Sequence, residues 1–287
     1  MRKTLKLLTV LVFALLVMPL SVVYSATDSV TFRYAPQKGS SSKYLMVIKT
    51  IAKVKGMDKE DPEAPLEGSM TANATFTERV NDIDDKGTVD VTITYDDVSL
   101  EVESLGQKAS IPLGNRLGGK AMHIKVSGDG KVMDVKGLED LPAEMKDIDP
   151  KKLFPQLNPY FPKTEIKVGD SWSQDISETT QVSEGVAFSE DSKLGYKLTG
   201  FEKKKGFECA VIEVSIVTNV KGGSEERETG LWMETSGKGT GVIYYAHKAS
   251  KTVESALNMD FVGSISLGTG QKSTTKHHMD ITMELIR

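Results

Sequence analysis

Residues 89–102 have the sequence VDVTITYDDVSLEV, in which apolar and polar side chains alternate. Alternation with a period of two is typical of a strand that buries one face of a sheet, because successive side chains point to opposite faces. The apolar phase changes at Asp96-Asp97, so that Val98 continues the pattern one residue late. Such a change predicts a β-bulge or a bend inside one long strand.

The same alternation extends over much of the chain on either side. Residues 70–77 (MTANATFT) show it most cleanly. The other such segments are residues 44–54, 257–267 and 279–285. Turn signals rich in Gly, Asp or Lys lie between neighbouring segments, at residues 85–87, 127–130 and 203–206. Because consecutive hairpins make antiparallel sheets, the sequence predicts a mainly β protein with long antiparallel strands in a curved sheet or half-barrel.

Residues 138–162 interrupt the strand pattern. The segment Leu138–Ile148 carries apolar residues at helical spacing, and three prolines after it prevent a long helix. Large apolar side chains, among them Phe154, Leu157 and Phe161, remain in this stretch. We interpret it as a short helical and Pro-rich crossover that lies against the apolar face. It would join strand groups 26–137 and 163–287 of a single β-rich domain.

Residues 1–25 have the layout of a secretory signal peptide. A cationic start precedes an almost wholly apolar run from Leu7 to Val23, and small residues before Ala26 predict cleavage after Ser25. An uncleaved membrane anchor is the alternative, because the run approaches the length needed to span a bilayer. No cysteine stands at the expected mature N-terminus, where a lipid could be attached. We therefore expect an exported protein, periplasmic or extracellular, that is not lipid-anchored.

Charge and cysteine content narrow the function classes. The chain has 36 Lys+Arg and 40 Asp+Glu, and loss of residues 1–25 with their three cationic residues leaves 33 against 40, a net charge of −7. An acidic balance argues against nucleic acid or an anionic membrane as the main partner. The one cysteine, Cys209, excludes a disulfide framework and a multi-cysteine metal site. Its place in a strand pattern predicts a buried, inert thiol.

Common catalytic and metal-binding motifs are missing from the sequence. It contains neither G-x-S-x-G nor H-E-x-x-H. The run Gly237–Gly241 (GKGTG) lacks the spacing of a phosphate-binding loop, and we interpret it as a turn or bulge between strands. His277 and His278 are adjacent in a strand pattern, so they point to opposite faces and cannot share a metal ion. We expect no enzyme activity, no cofactor and no metal site.

The cationic run Lys203–Lys205 is interpreted as a solvated hairpin tip. The alternative is a docking point for anionic lipid headgroups or an acidic partner.

Three stretches resemble a family of exported bacterial proteins whose domain has no assigned function. They are residues 167–172 (KVGDSW), residues 206–212 (GFECAVI), and residues 237–245 (GKGTGVIYY) followed by 255–262 (SALNMDFV). The resemblance covers mostly the C-terminal 120 or so residues, and its motifs are turn and strand signatures. More distantly, the predicted architecture is similar to that of LolA- and LolB-like lipoprotein carriers. That similarity implies an acyl chain held between a curved sheet and a lid.

The resulting hypothesis is a periplasmic, non-enzymatic binding or carrier protein. Its apolar ligand, a lipid or acyl chain, would lie in the concave face of the sheet. The residues expected to line the site are Met70, Ala72, Ala74, Phe76, Phe154, Leu157, Phe161, Trp172 and Trp232. The alternative is an envelope structural or protein-interaction module with a closed core and no ligand, whose partner would be another envelope protein.

Overall fold

The computed structural model of the chain describes residues 29–56, 64–112, 118–137, 159–183, 185–224, 230–268 and 272–287. Within these ranges the regular secondary structure consists of strands. A helix with the length and apolarity to cross a membrane does not occur in this part of the chain. The strands are β1 (Ser29–Val30), β2 (Ser41–Lys55), β3 (Leu66–Ile83), β4 (Val89–Ser104), β5 (Gln107–Pro112), β6 (Ala121–Val126), β7 (Val132–Lys136), β8 (Ile166–Lys167), β9 (Ser171–Ser183), β10 (Val186–Lys204), β11 (Phe207–Ser224), β12 (Leu231–Ala246), β13 (Lys251–Leu267) and β14 (Lys272–Leu285).

Twelve of the described strands form one antiparallel sheet, in the order β7-β6-β4-β3-β2-β14-β13-β12-β11-β10-β9, with β5 paired to β4. The predicted mainly β class with long antiparallel strands is therefore confirmed. Strand β14 pairs with β2, so both strand groups belong to the same sheet. Strands β1 and β8 form a separate two-stranded sheet. The outermost strands β7 and β9 do not pair with one another in the described ranges.

The irregularity predicted within β4 is present. Thr75 on β3 lies opposite Asp97, but the next residue, Phe76, lies opposite Tyr95, so Asp96 is the extra residue of a bulge. The predicted hairpin tip after β10 is also present, and Lys205 and Gly206 adopt positive φ angles of 48° and 85° there. The tip is not simply solvated, because Lys204 and Lys205 form ion pairs with Glu254 and Glu284.

The prediction of a turn at Gly237–Gly241 is wrong. These residues lie inside β12 and pair without a shift with both β11 and β13. A β-carbon on Gly239 would lie only 2.6 Å from Met259 Cγ on the neighbouring strand, so the glycines make room for large side chains of β13. Strands β11 and β13 have Cα atoms within 8 Å of one another although β12 lies between them. A flat sheet would separate them by about 9.5 Å, so the sheet bends at β12.

At one end of the sheet, which we call the closed end, most strands pack around one aromatic cluster. The Phe161 ring is fully buried there, 5.1 Å from the Phe32 ring and 4.7 Å from the Tyr245 ring. Phe161 N donates to Asp129 O in the β6–β7 turn, and Trp172 Nε1 on β9 donates to Tyr160 O. Because β7 and β9 lie at opposite ends of the strand order, residues 159–161 bridge the two ends of a curved sheet.

Of the predicted crossover, the structure describes only residues 159–162, whose Phe161 packs against the apolar face. Residues 138–158, with the predicted helical segment and with Phe154 and Leu157, lie outside the described residues. Residues 1–28, with the predicted signal peptide, also lie outside them.

Candidate functional site

The face of the sheet that carries the aromatic cluster is called the inner face, and on β3 its burial decreases away from the closed end. Strand β3 shows the gradient on successive inner-face residues: Phe76 is 2% exposed and Ala74 7% exposed, whereas Ala72 and Met70 are only partly buried. These four predicted site residues therefore share one face, as the alternation requires. Phe76 and Ala74 are core residues, and Ala72 and Met70 border accessible space.

Two rows of inner-face side chains cross the sheet at the level of Ala72 and Met70. We call them the middle rows. They are defined by cross-strand register over nine neighbouring strands, which follow the order β4-β3-β2-β14-β13-β12-β11-β10-β9. The first row contains Leu100, Ala72, Ile48, Ile281, Leu257, Gly241, Val214, Tyr196 and Trp172. The second contains Val102, Met70, Thr50, Met279, Met259, Gly239, Ile216, Leu194 and Gln174.

The middle rows are mostly apolar, with Thr50 and Gln174 as the polar members, and several of their side chains are only partly buried. Ile48, Met279, Ile216 and Leu194 all retain intermediate exposure although they lie on the inner face. On one flank, Trp172 stacks on Tyr196 with ring centroids 5.5 Å apart. An apolar surface of this kind can hold an acyl chain by burial alone.

Polar groups accumulate on the inner face beyond the middle rows. The buried Ser192 hydroxyl lies 2.7 Å from Glu190 Oε1 and 2.6 Å from Thr218 Oγ1. His277, on β14, is half-buried, and burial lowers its pKa. Thr50 Oγ1, in the second middle row, is buried and has no hydrogen-bond partner among the described residues. The inner face thus becomes more polar with distance from the closed end.

The structure places the remaining predicted site residues differently. Phe161 is part of the filled aromatic cluster, and Trp172 lies at its edge. Trp232 lies on the outer face of β12, because it alternates with the inner-face Met233, and it is nine residues from Gly241. At about 3.3 Å per residue it is about 30 Å from the first middle row. The structure therefore brings Met70, Ala72 and Trp172 to the middle rows but not Trp232.

The outer face carries two shallow grooves of about 590 and 580 Å³, which meet at Thr240–Val242. Their walls include two oppositely charged cross-strand neighbours, Lys49 with Asp280 and Lys197 with Glu213. Near the first groove, His278 Nδ1 lies 2.7 Å from Asp260 Oδ1, and this hydrogen bond raises the pKa of His278. No three His, Cys, Asp or Glu side chains are grouped suitably for a metal ion in the described part of the chain.

Sequence reasoning missed a buried carboxylic acid at the closed end. Glu78 accepts a hydrogen bond from Tyr34 Oη at 3.3 Å, and burial raises its pKa. Lys251, whose Nζ donates to Ser42 Oγ at 2.7 Å, partly offsets that rise. The sequence does indicate that the Glu78 side chain points to the inner face, because Glu78 stands between Phe76 and Val80 in the apolar phase of β3. The cluster ties β2, β3 and β13 to the N-terminal segment.

Comparisons with known proteins give weak similarities. No protein-family model and no curated protein matches the sequence. One similar solved structure is a Bacteroides fragilis protein described as exported, with a YmcC-like fold; it is 10% identical, with a TM-score of 0.25, over 90% of this chain and 99% of that chain. OpdQ of Pseudomonas aeruginosa is 7% identical, with a TM-score of 0.26, over 86% and 100% of the two chains.

A mutant of the Rh. blastica porin is 9% identical, with a TM-score of 0.23, over 85% of this chain and 100% of that chain. None of these three proteins is described as a LolA- or LolB-like carrier. TM-scores at this level do not establish a shared fold, so the proposals below depend on the residues of this chain.

Proposed function

We propose that the protein is an exported, non-enzymatic binding protein that holds an apolar ligand, a lipid or an acyl chain, against the middle rows of its inner face. The observation that carries the proposal is the incomplete burial of apolar side chains there. Ile48, Met70 and Met279 belong to the concave side of the sheet, yet each retains solvent exposure. Burial of apolar surface contributes about 25 cal/mol per Å², so a guest molecule that covers these side chains is stabilised.

The closed end is not the proposed binding surface. Phe161, Phe32 and Tyr245 already fill it with mutual ring contacts. A ligand would have to displace these rings, whereas Ile48, Met70 and Met279 in the middle rows are already partly exposed. Methionines such as Met70 and Met279 suit ligands of variable shape, because their side chains are flexible and polarizable.

The experiment is a titration with N-phenyl-1-naphthylamine, an uncharged probe that fluoresces in apolar surroundings, together with native mass spectrometry for co-purified lipid. Ala72→Trp should block the first middle row, since Ala72 lies directly between Ile48 and Leu100. Thr71→Trp is the matched control, because the neighbouring side chain points to the outer face. Wild type and Thr71→Trp should bind the probe, and Ala72→Trp should bind it at least about tenfold more weakly.

Two results would count against the proposal. Wild-type protein that binds neither the probe nor lipid would eliminate the carrier function and favour the envelope interaction module. Equal probe affinity in all three proteins would show that the ligand lies elsewhere than the middle rows.

A further inference from the structure

Beyond the middle rows, a further row of inner-face side chains crosses the same nine strands, and we call it the third row. Cross-strand register defines it through Ser104, His277, Thr218 and Ser192, and its other members are glycine, alanine, phenylalanine and isoleucine. Burial lowers the pKa of His277, so its imidazole is neutral at pH 7 and above. The third row therefore offers hydrogen bonds but no ionised side chain.

The cationic side chains of these strands lie on the opposite face. From the middle rows to the end of the sheet remote from the closed end, every Lys of the nine described strands falls in the outer-face phase of the alternation, as Lys49, Lys193 and Lys276 do. The inner-face row after the third row contains Glu190 and, opposite it on β9, Glu178. The inner face of these strands thus presents carboxylates at this level but no cation that could pair with an anionic ligand.

Several polar side chains of this region are withdrawn from water. Ser192 and Thr218 are buried, and so is Thr275, the next inner-face residue of β14 after His277. An ionised group that binds among them must lose its hydration, and without an opposite charge that loss is not offset. An uncharged hydroxyl or amide group loses far less, because hydroxyl side chains and a neutral imidazole can replace its hydrogen bonds with water.

An unpaired hydroxyl lies between the apolar middle rows and His277. Thr50 Oγ1 is buried and has no hydrogen-bond partner among the described residues. Thr50 lies opposite Met279 on β14, and His277 is two residues further along that strand, so the Thr50 and His277 side chains are diagonal neighbours on the inner face. A buried polar atom without a partner is unfavourable, and a hydroxyl or amide group of a guest molecule at this position would remove that penalty.

We propose that the ligand is an uncharged amphiphile whose hydroxyl- or amide-bearing head lies at the third row and whose apolar chain lies on the middle rows. This inference rests on the proposed binding function and adds the chemical class and orientation of the ligand. The opposite orientation is unfavourable, because the inner face on the closed-end side of the middle rows consists of buried apolar side chains such as Ala74 and Phe76.

Displacement of N-phenyl-1-naphthylamine by three ligands with the same decyl chain tests the head group. At pH 8, 1-decanol is uncharged, decanoate is an anion and decylammonium is a cation. We expect 1-decanol to displace the probe at a concentration at least about tenfold below that of either ion, because only its head binds the third row without an uncompensated charge. Mass spectrometry of lipid extracted from the purified protein should likewise identify an uncharged lipid.

A charge reversal on the inner face separates head-group selection from the different solubilities of the ligands. Glu190→Lys places a cation one row from the proposed head position, so it should tighten decanoate binding about tenfold relative to 1-decanol and weaken decylammonium binding. Glu101→Lys is the matched control, because Glu101 is an exposed outer-face residue of β4 opposite Thr71 and the substitution changes the net charge equally. Glu101→Lys should leave the ratio of the decanoate and 1-decanol affinities unchanged.

A milder variant guards against a folding defect in Glu190→Lys. Glu190→Gln removes the negative charge but retains an acceptor for the Ser192 hydroxyl, which lies 2.7 Å from Glu190 Oε1. It should shift the ratio of the decanoate and 1-decanol affinities in the same direction by about two- to threefold.

Failure of this inference can be distinguished from failure of the proposed function. Wild-type protein that binds the probe, but releases it as readily to decanoate or to decylammonium as to 1-decanol, would overturn the uncharged head group and leave the apolar site intact. An equal change of the affinity ratio in Glu190→Lys and Glu101→Lys would also overturn it. Wild-type protein that does not bind the probe would overturn the proposed function and this inference with it.

Discussion

Gly237 occupies a place on β12 where a β-carbon has no room. An ideal Cβ there would lie 2.5 Å from Cδ1 and Cε1 of Phe261 and 2.9 Å from Cγ2 of Thr218. Gly237→Ala must therefore push the Phe261 ring away from β12. Overpacking of this kind lowers the free energy of unfolding by about 1–3 kcal/mol. Alanine also restricts the unfolded chain, which raises the free energy of unfolding by about 0.4–1 kcal/mol. The expected net loss in the free energy of unfolding is about 1–2 kcal/mol.

Urea unfolding, followed by tryptophan fluorescence and far-ultraviolet circular dichroism, measures this loss. The midpoint should fall by about 0.5 M with little change in the slope. Gly200→Ala is the matched control, because nothing lies within 4 Å of its ideal Cβ and its φ is not positive. That variant should be at least as stable as the wild type.

A double-mutant cycle identifies the cause. If Phe261 is the obstacle, Gly237→Ala should cost almost nothing in a Phe261→Ala background, and the two substitutions should be coupled by about 1–3 kcal/mol. Coupling below about 0.5 kcal/mol, together with a Gly237→Ala protein as stable as Gly200→Ala, would refute the packing of Phe261 over β12.

Two further substitutions test the closed end. Phe161→Ala should lower the free energy of unfolding by about 3–5 kcal/mol, because it leaves a cavity between two aromatic rings, whereas Val262→Ala at a 57% exposed position should have little effect in the same urea experiment. Glu78→Gln should raise the free energy of unfolding at pH 8 but not at pH 4. Burial raises the native pKa of Glu78, so the wild type loses stability as the pH rises through that pKa. The neutral amide of Gln does not ionise and can still accept a hydrogen bond from Tyr34 Oη. Parallel pH profiles of wild type and Glu78→Gln would contradict this cause.

Much of the sheet could be predicted from local sequence. The alternation in residues 89–102 predicted the inner face of β4. Its phase change at Asp96-Asp97 predicted a bulge or a bend there, and the structure has a bulge at Asp96. Turn residues gave the β10–β11 hairpin. These features depend on neighbours along one or two strands, which is the range over which period and turn chemistry act.

The glycine run at residues 237–241 misled sequence interpretation for a physical reason. Glycine favours turns when nothing fills the space beside it. In β12 that space is filled by side chains of β13, chiefly Phe261 over Gly237 and Met259 over Gly239. Only the register between β12 and β13 reveals this, and register is a non-local property.

The candidate site could be predicted as far as the face of the sheet, but not as far as the position along it. Alternation assigned Met70, Ala72, Ala74 and Phe76 to one face without showing that Phe76 would be buried and Met70 partly exposed. That division depends on where the segments around Phe32 and Phe161 enter the sheet, and these segments are far apart in the sequence. They meet at the closed end and fill it, so the inner-face surface left for a ligand begins at Ala72. Trp232 shows the same dependence, since its aromatic side chain suits a ligand site but its strand places it on the outer face, far from the middle rows.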